Sequence, residues 1–206
     1  MNYDQQKRIL DLAVATILAI GFLPFWIIVP ILIWLDSPGP VIFRHKRVGK
    51  GGKTIRLYKF RSMVMDADEI LHKKDKALLK EFKKGDWKLK NDPRITKIGK
   101  ILRSLTIDEF PQLLNVFSGE MSMIGPRAYV ARELDEQRKK YPETIPLIQD
   151  ILSIKPGITG PWQVAGRNEI PFNQRAKLDS EYARQQSIWN DILILLKTPK
   201  AMLSKW

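Results

Sequence analysis

The strongest chemical signal in the sequence is a pair of adjacent carboxylates, Asp108 and Glu109, within the stretch 103–112. An aspartate that is kept ionised by Arg103 and by a helix N-terminus can attack phosphorus and form an aspartyl phosphate. A magnesium ion shared between carboxylate and diphosphate oxygens would offset the repulsion between these anions. A structural interpretation also fits, because Thr106 and Glu109 have the spacing of a capping box at a helix start.

The composition restricts the chemistry to carboxylates and cations. The 206 residues include no cysteine, which excludes disulfides and thiol chemistry and fits a reducing cytoplasm. The two histidines, His45 and His72, are far apart in the sequence, so the residues needed for a zinc site or a serine–histidine triad are missing. We expect both rings at the surface. The net charge of +13 predicts a polyanionic partner: a nucleic acid, an anionic membrane or a phosphorylated substrate.

Glycine-containing motifs are the next candidates for phosphate contacts. The segment 49–54 ends like a P-loop, but Arg47 stands where the first glycine belongs and a strand follows, so it indicates a hairpin turn. The motifs at 125–127, 155–160 and 166–168 each combine glycine with a cation. Their glycines allow the backbone to approach a ligand and their cations suit phosphates, although each motif alone is also typical of a surface turn.

An apolar segment without charged side chains, residues 12–35, precedes all of these motifs. Pro24 lies near its middle, where a proline removes a backbone hydrogen bond and kinks a helix. Both flanks are basic, with Lys7 and Arg8 on one side and the cations of 44–61 on the other. Because positive charge stays cytoplasmic, a re-entrant hairpin satisfies both flanks, whereas a spanning helix satisfies one. A buried helix of a soluble protein is the third alternative.

The rest of the chain must hold the carboxylates in place. Residues 41–49 and 53–63 have the β-prone pattern of a hairpin, and residues 66–84 and 129–141 predict charged helices. Helical spacing of Ile98, Ile101, Leu102 and Leu105 predicts another helix, and a further one is expected to begin after Thr106 and to end at Gly119. Residues 142–172, rich in proline and glycine, predict an ordered loop.

The last segment, 187–206, predicts an amphipathic helix that lies in the membrane interface or packs on the core. We expect its apolar side chains on one face, with Trp206 closing the chain. The members of that face are Ile188, Trp189, Ile192, Leu195 and Leu196.

Read together, these segments resemble the monotopic phosphoglycosyl transferases, also called the bacterial sugar transferase family. The resemblance covers nearly the whole chain, and its segments are Lys7-Arg8 with Asp11, Pro24, 58–63, 89–96, 103–112, 125–127, 155–160 and 166–168. The block 108–113 is the most specific of them. The run 89–96 is most similar to the undecaprenyl-phosphate galactose phosphotransferase branch.

The resemblance implies an α+β, mainly helical fold. Residues 1–40 would form a re-entrant membrane helix bent at Pro24, and residues 41–206 a catalytic domain on the cytoplasmic face of the bacterial inner membrane. That domain would contain a small soluble core of helices, a short β-hairpin and amphipathic interfacial helices. A homodimer is compatible with this architecture.

The resemblance also implies a two-step reaction. Asp108 attacks the β-phosphate of a UDP-sugar, UMP leaves, and undecaprenyl phosphate then takes the phosphosugar from the enzyme. Glu109 assists Asp108 and the Mg²⁺ ion. The implied roles of the other residues are phosphate or nucleotide binding for Arg103 and Arg127, lipid-phosphate binding for Lys59 and Arg61, and further substrate contacts for Gln112 and Arg167.

Three positions differ from the family pattern, and none of them belongs to the carboxylate pair. Leu23 precedes Pro24 where the family often has serine, so the bend lacks a hydroxyl that could bond a freed carbonyl. Ala128 follows Gly-Pro-Arg where proline is usual, and Pro161 stands where leucine is usual. Either could alter contacts with the nucleotide or the sugar.

A different class of function also accounts for the charge. The net charge and the basic run 44–61 suit a membrane-anchored binder of anionic lipid or nucleic acid, and a catalytically inactive scaffold subunit is a further alternative. The position of the basic run directly beside the apolar segment favours a bilayer over a nucleic acid. We therefore expect membrane lipids, a UDP-sugar and undecaprenyl phosphate as partners, and no nucleic acid.

Overall fold

The computed structural model of the protein describes residues 1–85, 89, 91–167 and 170–202. Lys90 of the run 89–96, Asn168 of the motif 166–168 and Trp206 at the chain end lie outside the described residues. Helices predominate in the described part, together with two small two-stranded sheets, which confirms the α+β, mainly helical prediction.

The α-helices are α1 Tyr3–Gly21, α2 Leu23–Asp36, α3 Ala67–Glu69, α4 Lys76–Lys84, α5 Lys97–Ser104, α6 Leu113–Phe117, α7 Ala131–Lys140, α8 Ile145–Ser153, α9 Pro161–Ala165, α10 Phe172–Arg184 and α11 Ile188–Met202. The strands are β1 Ile42–Val48, β2 Thr54–Phe60, β3 Ser122–Ile124 and β4 Gly157–Thr159. Short 3₁₀ segments cover Lys50–Gly52, Ile107–Gln112 and Pro142–Thr144, and a π-helical turn covers Ile70–Lys74.

The apolar segment forms a bent pair of helices, α1 and α2, whose axes differ by 62°. In the described residues, neither helix alone is long and apolar enough to cross a bilayer, whereas the pair together meets that criterion. The predicted bend is confirmed. It falls at Phe22, because Pro24 lies in the first turn of α2, where a missing N–H costs no helical hydrogen bond.

A buried polar network anchors the N-terminal half of α1 to the rest of the fold. Lys7 Nζ lies 3.5 Å from Asp11 Oδ1 and 3.4 Å from Asp191 Oδ2 of α11. Asp11 accepts a hydrogen bond from the Ser122 hydroxyl at 2.9 Å, and the Tyr182 hydroxyl donates to Asp191 at 2.5 Å. Each buried charge therefore has a partner, and the network fixes the direction in which α1 leaves the core.

Helix α2 packs on the side of the molecule that carries the carboxylate pair. The buried apolar cluster at this contact consists of Val29, Ile33, Phe60, Leu102 and Ile107. The opposite side of α2 is exposed and apolar, and it includes Ile27, Ile31, Trp34 and Leu35, each more than half exposed. An exposed apolar surface of this kind marks a contact with a membrane or a partner.

Strands β1 and β2 form the predicted antiparallel hairpin, with Ile42 opposite Phe60 and Val48 opposite Thr54. The segment 49–54 is its turn, as predicted. Gly51 and Gly52 adopt left-handed backbone angles, with φ of 67° and 76°, which suit a hairpin connection rather than a helix start.

The prediction of an ordered loop for residues 142–172 is wrong. The segment contains α8, β4, α9 and the first residue of α10. Its prolines begin helices instead of preventing them, since Pro161 lies at the N-terminus of α9 and Pro146 in the first turn of α8. Strand β4 pairs in parallel with β3, with Ser122 beside Gly157 and Ile124 beside Thr159.

Two further helix predictions need correction. Residues 66–84 form α3, a π-helical turn and α4 instead of one helix, because Asp75 has extended backbone angles and its carboxylate caps Leu78 N. In α11 the buried face contains Asp191 and Ile194, while Trp189 and Leu196 of the predicted apolar face are about 70% exposed. The side chains of that predicted face therefore divide between the core and the outside.

Candidate active site

The carboxylate pair lies on the 3₁₀ segment Ile107–Gln112, which we call the dyad turn, and the dyad turn packs against β2. The contact is made by an ion pair, in which Lys59 Nζ donates to Glu109 Oε1 at 2.5 Å. Lys59 reaches the dyad turn because it lies on the face of the hairpin that also carries Leu57 and Ile55, both buried.

The edge of β2 is held by one buried amide, that of Asn115 in α6. Its Oδ1 accepts from the backbone N–H of Tyr58 at 3.1 Å, and its Nδ2 donates to the carbonyl of Arg56 at 2.8 Å. The amide thus makes the two backbone hydrogen bonds that a neighbouring strand would otherwise make at this point of β2. Because Asn115 lies in the helix that follows the dyad turn, this contact joins β2 to the segment that carries the carboxylates.

The capping box predicted from Thr106 and Glu109 does not form. Thr106 has a left-handed backbone with φ of 58° and makes no side-chain cap, and the expected α-helix starts only at Leu113. The preceding 3₁₀ segment contains Pro111, which cannot donate the backbone hydrogen bond of a regular helix. The structural explanation of the two carboxylates is therefore weakened, and their placement requires another reason.

Asp108 is buried, with 4% of its surface exposed, and its Oδ1 has no hydrogen-bond partner among the described residues. Burial raises the pKa of Asp108 to about 6, while Lys59 and Arg103 act in the opposite direction. The expected influence of Arg103 is present, but Lys59 is the stronger counter-charge. A carboxylate with this pKa is ionised at neutral pH and poorly solvated, which favours nucleophilic attack.

Glu109 differs from its neighbour. Burial acts to raise the pKa of Glu109, but the ion pair and hydrogen bond with Lys59 outweigh it, so that the pKa is lowered. Arg127 and Arg167 contribute to the same lowering, which places both guanidinium groups close to the dyad turn. Glu109 is therefore the permanently charged member of the pair, and Asp108 is the member that titrates nearer to neutrality.

The glycine motifs at 125–127 and 155–160 form one structure. Gly125 N donates to Thr159 O at 2.9 Å and Gly157 N donates to Pro126 O at 2.8 Å. Gly157 lies so close to Gly125 that an added Cβ would meet its backbone, which explains why glycine is needed there. The paired segments place Arg127 beside Trp162, with its guanidinium carbon 5.7 Å from the ring centroid.

Buried Asp179 completes this arrangement, since its Oδ2 accepts from the backbone N–H of Arg127 at 3.4 Å.

Of the two departures from the family pattern in this region, Ala128 is buried and its carbonyl accepts from Arg47 Nη1 at 3.2 Å. Pro161 begins α9 and is half-buried.

Arg167 also belongs to the site. Its guanidinium donates to Thr106 Oγ1 at 3.3 Å and to the carbonyl of Ala201 in α11 at 3.1 Å. Burial lowers the pKa of Arg167, and Glu109 and Asp108 oppose that effect. The structure thus brings together Lys59, Arg103, Asp108, Glu109, Arg127 and Arg167.

The other predicted residues lie elsewhere. Arg61 is buried at the end of α2, where it donates to the carbonyl of Ser37 and approaches Met65 Sδ. Gln112 is buried inside the dyad turn, with 3% exposed, and Pro24 lies at the bend.

The bend itself contacts the dyad turn. The Phe110 ring lies 4.6 Å from that of Phe22 and stacks on Phe25 at 6.5 Å. Phe110 directly follows Glu109, so the aromatic cluster links the bent helix pair to the carboxylates. Leu23 is 60% exposed and does not take part in this cluster of rings.

Sequence reasoning missed several residues around the site. Asn115, Asp179 and Trp162 are buried, but no local pattern in the sequence separates them from other polar or aromatic residues. His45 was expected at the surface and is instead half-buried, on the same face of the hairpin as Lys59. Burial and the nearby Arg47, Lys59 and Arg127 lower the pKa of His45 to about 3. The period of two along β1 could have revealed this placement.

The described residues contain no group of three or more acidic, histidine or cysteine side chains that could hold a metal ion. Two carboxylates nevertheless suit Mg²⁺, which binds proteins through one or two carboxylates and completes its coordination with substrate phosphates and water. The partnerless Oδ1 of Asp108 is an oxygen available for such a cation. The donor set therefore fits a metal that arrives with a phosphorylated substrate.

A carboxylate pair among four cations, adjoining an exposed apolar helix pair, is an arrangement that suits phosphate chemistry beside an apolar surface. The comparison with known families is consistent with this class. The profile of the bacterial sugar transferase family matches residues 2–205, and the chain belongs to that family.

Named relatives support the same assignment. Undecaprenyl-phosphate galactose phosphotransferase of Salmonella typhimurium is 42% identical over 202 residues, which is 97% of this chain and 40% of the relative. UDP-glucose:undecaprenyl-phosphate glucose-1-phosphate transferase of Escherichia coli is 36% identical over 201 residues, 93% of this chain and 39% of the relative. ExoY of Rhizobium meliloti, an exopolysaccharide production protein, is 35% identical over 97% of this chain and 86% of its own length. The chain spans about two fifths of the first two.

Proposed function

We propose that this chain transfers a sugar-1-phosphate from a UDP-sugar to undecaprenyl phosphate and releases UMP. The observation that carries the proposal is the buried Asp108, whose Oδ1 has no hydrogen-bond partner among the described residues, while Lys59 pairs with Glu109 beside it. The names of the relatives from Salmonella typhimurium and Escherichia coli supply the lipid carrier and the UDP-linked donor. The name of ExoY points to exopolysaccharide production as the process.

In the first step, an Asp108 carboxylate oxygen attacks the β-phosphorus of the UDP-sugar. The bond between that phosphorus and the bridging oxygen breaks, UMP leaves with the electron pair, and an aspartyl phosphosugar remains. In the second step, an oxygen of the lipid phosphate attacks the same phosphorus, and the bond to Asp108 breaks. The product is a lipid-diphosphate sugar, and the free carboxylate is regenerated.

The cations of the site suit the charges of this reaction. Arg127 and Arg167 lie near enough to Glu109 to lower its pKa, and they would bind the donor diphosphate and stabilise the departing UMP. Lys59 holds Glu109 ionised through their ion pair. Arg61 follows β2 and contacts the end of α2, beside the apolar surface from which a lipid phosphate would approach.

Family membership is consistent with a metal-dependent transferase. We assign Mg²⁺ to this role, held by Asp108 and Glu109 together with the donor. When bound, Mg²⁺ neutralises part of the diphosphate charge and makes UMP a better leaving group.

The test is UMP release from a panel of UDP-sugars with undecaprenyl phosphate and magnesium present. Asp108→Asn should abolish UMP release, whereas the matched control Asp135→Asn, on the exposed face of α7, should keep the wild-type rate. Intact-mass analysis of wild-type enzyme with its donor should show one phosphosugar adduct, and mass analysis of its peptides should locate that adduct on residue 108. An adduct on another residue, or a transfer that requires both substrates bound at once, would refute the mechanism.

The competing interpretation as a membrane-anchored binder of anionic lipid or nucleic acid has a distinct outcome. A salt-sensitive gel shift with RNA or DNA, together with no UMP release from any donor, would support it.

A further inference from the structure

Thr106 combines an unfavourable backbone conformation with a specific hydrogen bond. Among the described non-glycine residues, only Thr106 and Arg167 have positive φ, of 58° and 50°. A left-handed conformation is unfavourable for an L-residue, and it is rarest for β-branched side chains such as threonine. These two residues also contact each other, because Arg167 Nη2 donates to Thr106 Oγ1 at 3.3 Å.

The position of Thr106 explains the left-handed turn but not the choice of threonine. Helix α5 ends at Ser104, and Thr106 N donates to the carbonyl of Arg103 at 3.1 Å, as expected for the residue that closes a helix. Glycine is the usual residue there because it has no Cβ. What threonine adds is a hydroxyl, two residues before Asp108, and the structure shows that hydroxyl bonded to Arg167.

Arg167 is held between two elements by its two terminal nitrogens. Nη1 donates to the carbonyl of Ala201 at the end of α11, and Nη2 donates to Thr106 at the start of the dyad turn. The fork of a guanidinium group can bind both acceptors at once, which fixes the plane of the group. Asp108 and Glu109 both act to raise the pKa of Arg167. The oriented guanidinium therefore lies close enough to both carboxylates to interact with their charges.

We propose that Thr106 is a positioning residue, whose hydroxyl holds the Arg167 guanidinium where it meets the diphosphate of the donor. This inference rests on the proposed function for the identity of the donor. The strained backbone is tolerated because the hydroxyl must stand at this point of the turn. Without it, Arg167 loses the hydrogen bond that joins its guanidinium to the start of the dyad turn.

Steady-state UMP release in Thr106→Val and Thr106→Gly tests the hydroxyl in two different ways. Valine keeps the branched shape, and glycine relieves the backbone, so that the melting temperature of Thr106→Gly should not fall below that of the wild type. Both variants should raise KM for the UDP-sugar roughly tenfold with a smaller change in kcat, since a lost bond to a charged group weakens donor binding. Thr106→Ser, which retains the hydroxyl, should recover most of that loss.

Ser104→Ala is the matched control, because this exposed hydroxyl donates to the carbonyl of Ile101 in its own helix. Its KM should equal that of the wild type. A Thr106→Gly enzyme with wild-type KM would overturn the proposal.

A double-mutant cycle with Arg167→Ala separates positioning from general damage. If Thr106 acts through Arg167, Thr106→Gly should cost about tenfold in the wild-type background and less than twofold in Arg167→Ala. Equal losses in both backgrounds would overturn the proposal.

The same cycle measured as UDP affinity by calorimetry needs no turnover. It therefore decides on Thr106 even if the wild-type chain releases no UMP, an outcome that would refute the proposed function alone. Absence of UDP binding to the wild-type chain would overturn the role of Thr106 as well.

Discussion

The pKa values of the two adjacent carboxyls are shifted in opposite directions. Asp108 is almost fully buried and its pKa is raised by that burial, while the pKa of Glu109 is lowered through its contact with Lys59. Pairs of titratable groups whose environments separate their pKa values commonly have different chemical roles. In the proposed reaction, Asp108 forms the covalent bond. Glu109 stays negatively charged, so that it can bind the metal and pair with Lys59.

The raised pKa of Asp108 predicts a pH-dependent stability. Because the folded carboxyl binds its proton more tightly than the unfolded one, the free energy of unfolding should fall as pH rises from about 4 to the folded pKa of about 6. Asparagine does not titrate, so Asp108→Asn should not show this fall in the free energy of unfolding. Chemical denaturation in detergent should find the variant more stable than the wild type at pH 7.5, by a few kcal/mol at most.

At pH 4 the two proteins should be equally stable, since both then carry a neutral group at position 108. Asp135→Asn, an exposed substitution, should show no such crossover. Equal differences from wild type at pH 4 and pH 7.5 would contradict the assignment of a buried, titrating carboxyl.

Lys59 links the two carboxylates, because it opposes burial at both. Lys59→Met keeps the length of the side chain and removes the charge, so the pKa of both carboxyls should rise. We expect UMP release to fall by roughly tenfold to a hundredfold at neutral pH and the acidic limb of the pH–rate profile to move to higher pH.

Lys46→Met is the matched control for this measurement. Lys46 lies on the opposite, exposed face of β1, so its removal should leave the profile unchanged. A Lys59→Met enzyme with an unchanged acidic limb would show that the ion pair does not control the ionisation of the dyad.

At the scale of elements, the hairpin shows what the sequence could predict. Alternating β-prone residues and a glycine-rich connection define β1 and β2 by local rules, and both strands occur within a few residues of the expected bounds. The bend in the apolar segment was also predictable, because proline acts through its own backbone.

The elements that were missed depend on distant contacts. Strands β3 and β4 are three residues each, and they pair only because the motifs 125–127 and 155–160 meet in space. The dyad turn departs from the predicted helix because Thr106 is left-handed, which no local propensity of threonine indicates. Both failures fall beside the candidate site, where local preference and tertiary structure disagree.

Asn115 supplies a prediction at this scale, because it joins α6 to β2. Asn115→Leu has a similar size but leaves the backbone N–H of Tyr58 and the carbonyl of Arg56 without their partner. We expect a loss of roughly 2–4 kcal/mol in the free energy of unfolding, measured by denaturant titration in detergent. Asn190→Leu, at an exposed position of α11, should change it by less than about 1 kcal/mol. Equal effects of the two substitutions would mean that the amide does not hold the strand.

At the scale of the whole molecule, the bent helix pair and the elements around the candidate site form one assembly. The N-terminal half of α1 is fixed by the buried network around Lys7 and Asp191, and Phe22 and Phe25 at the bend pack on Phe110. The apolar side of α2 stays exposed. In the proposed reaction, the insertion depth of the helix pair and the position of the carboxylates would therefore be coupled, as a lipid-linked acceptor requires.

We predict that the helix pair is re-entrant, with both of its ends on the cytoplasmic side, and the absence of natural cysteines makes this directly measurable. Gln6→Cys places a single thiol at an exposed position in the first turns of α1, Lys46→Cys places one after the pair, and Leu23→Cys places one at the bend. A membrane-impermeant maleimide should modify both end positions in inside-out vesicles and neither in right-side-out vesicles, because both flanks carry positive charge. Leu23→Cys should resist the reagent in both preparations, since the apolar bend lies in the bilayer. Modification of Gln6→Cys and Lys46→Cys in opposite preparations would establish a spanning segment instead, and with it a different path for the lipid phosphate to reach Asp108.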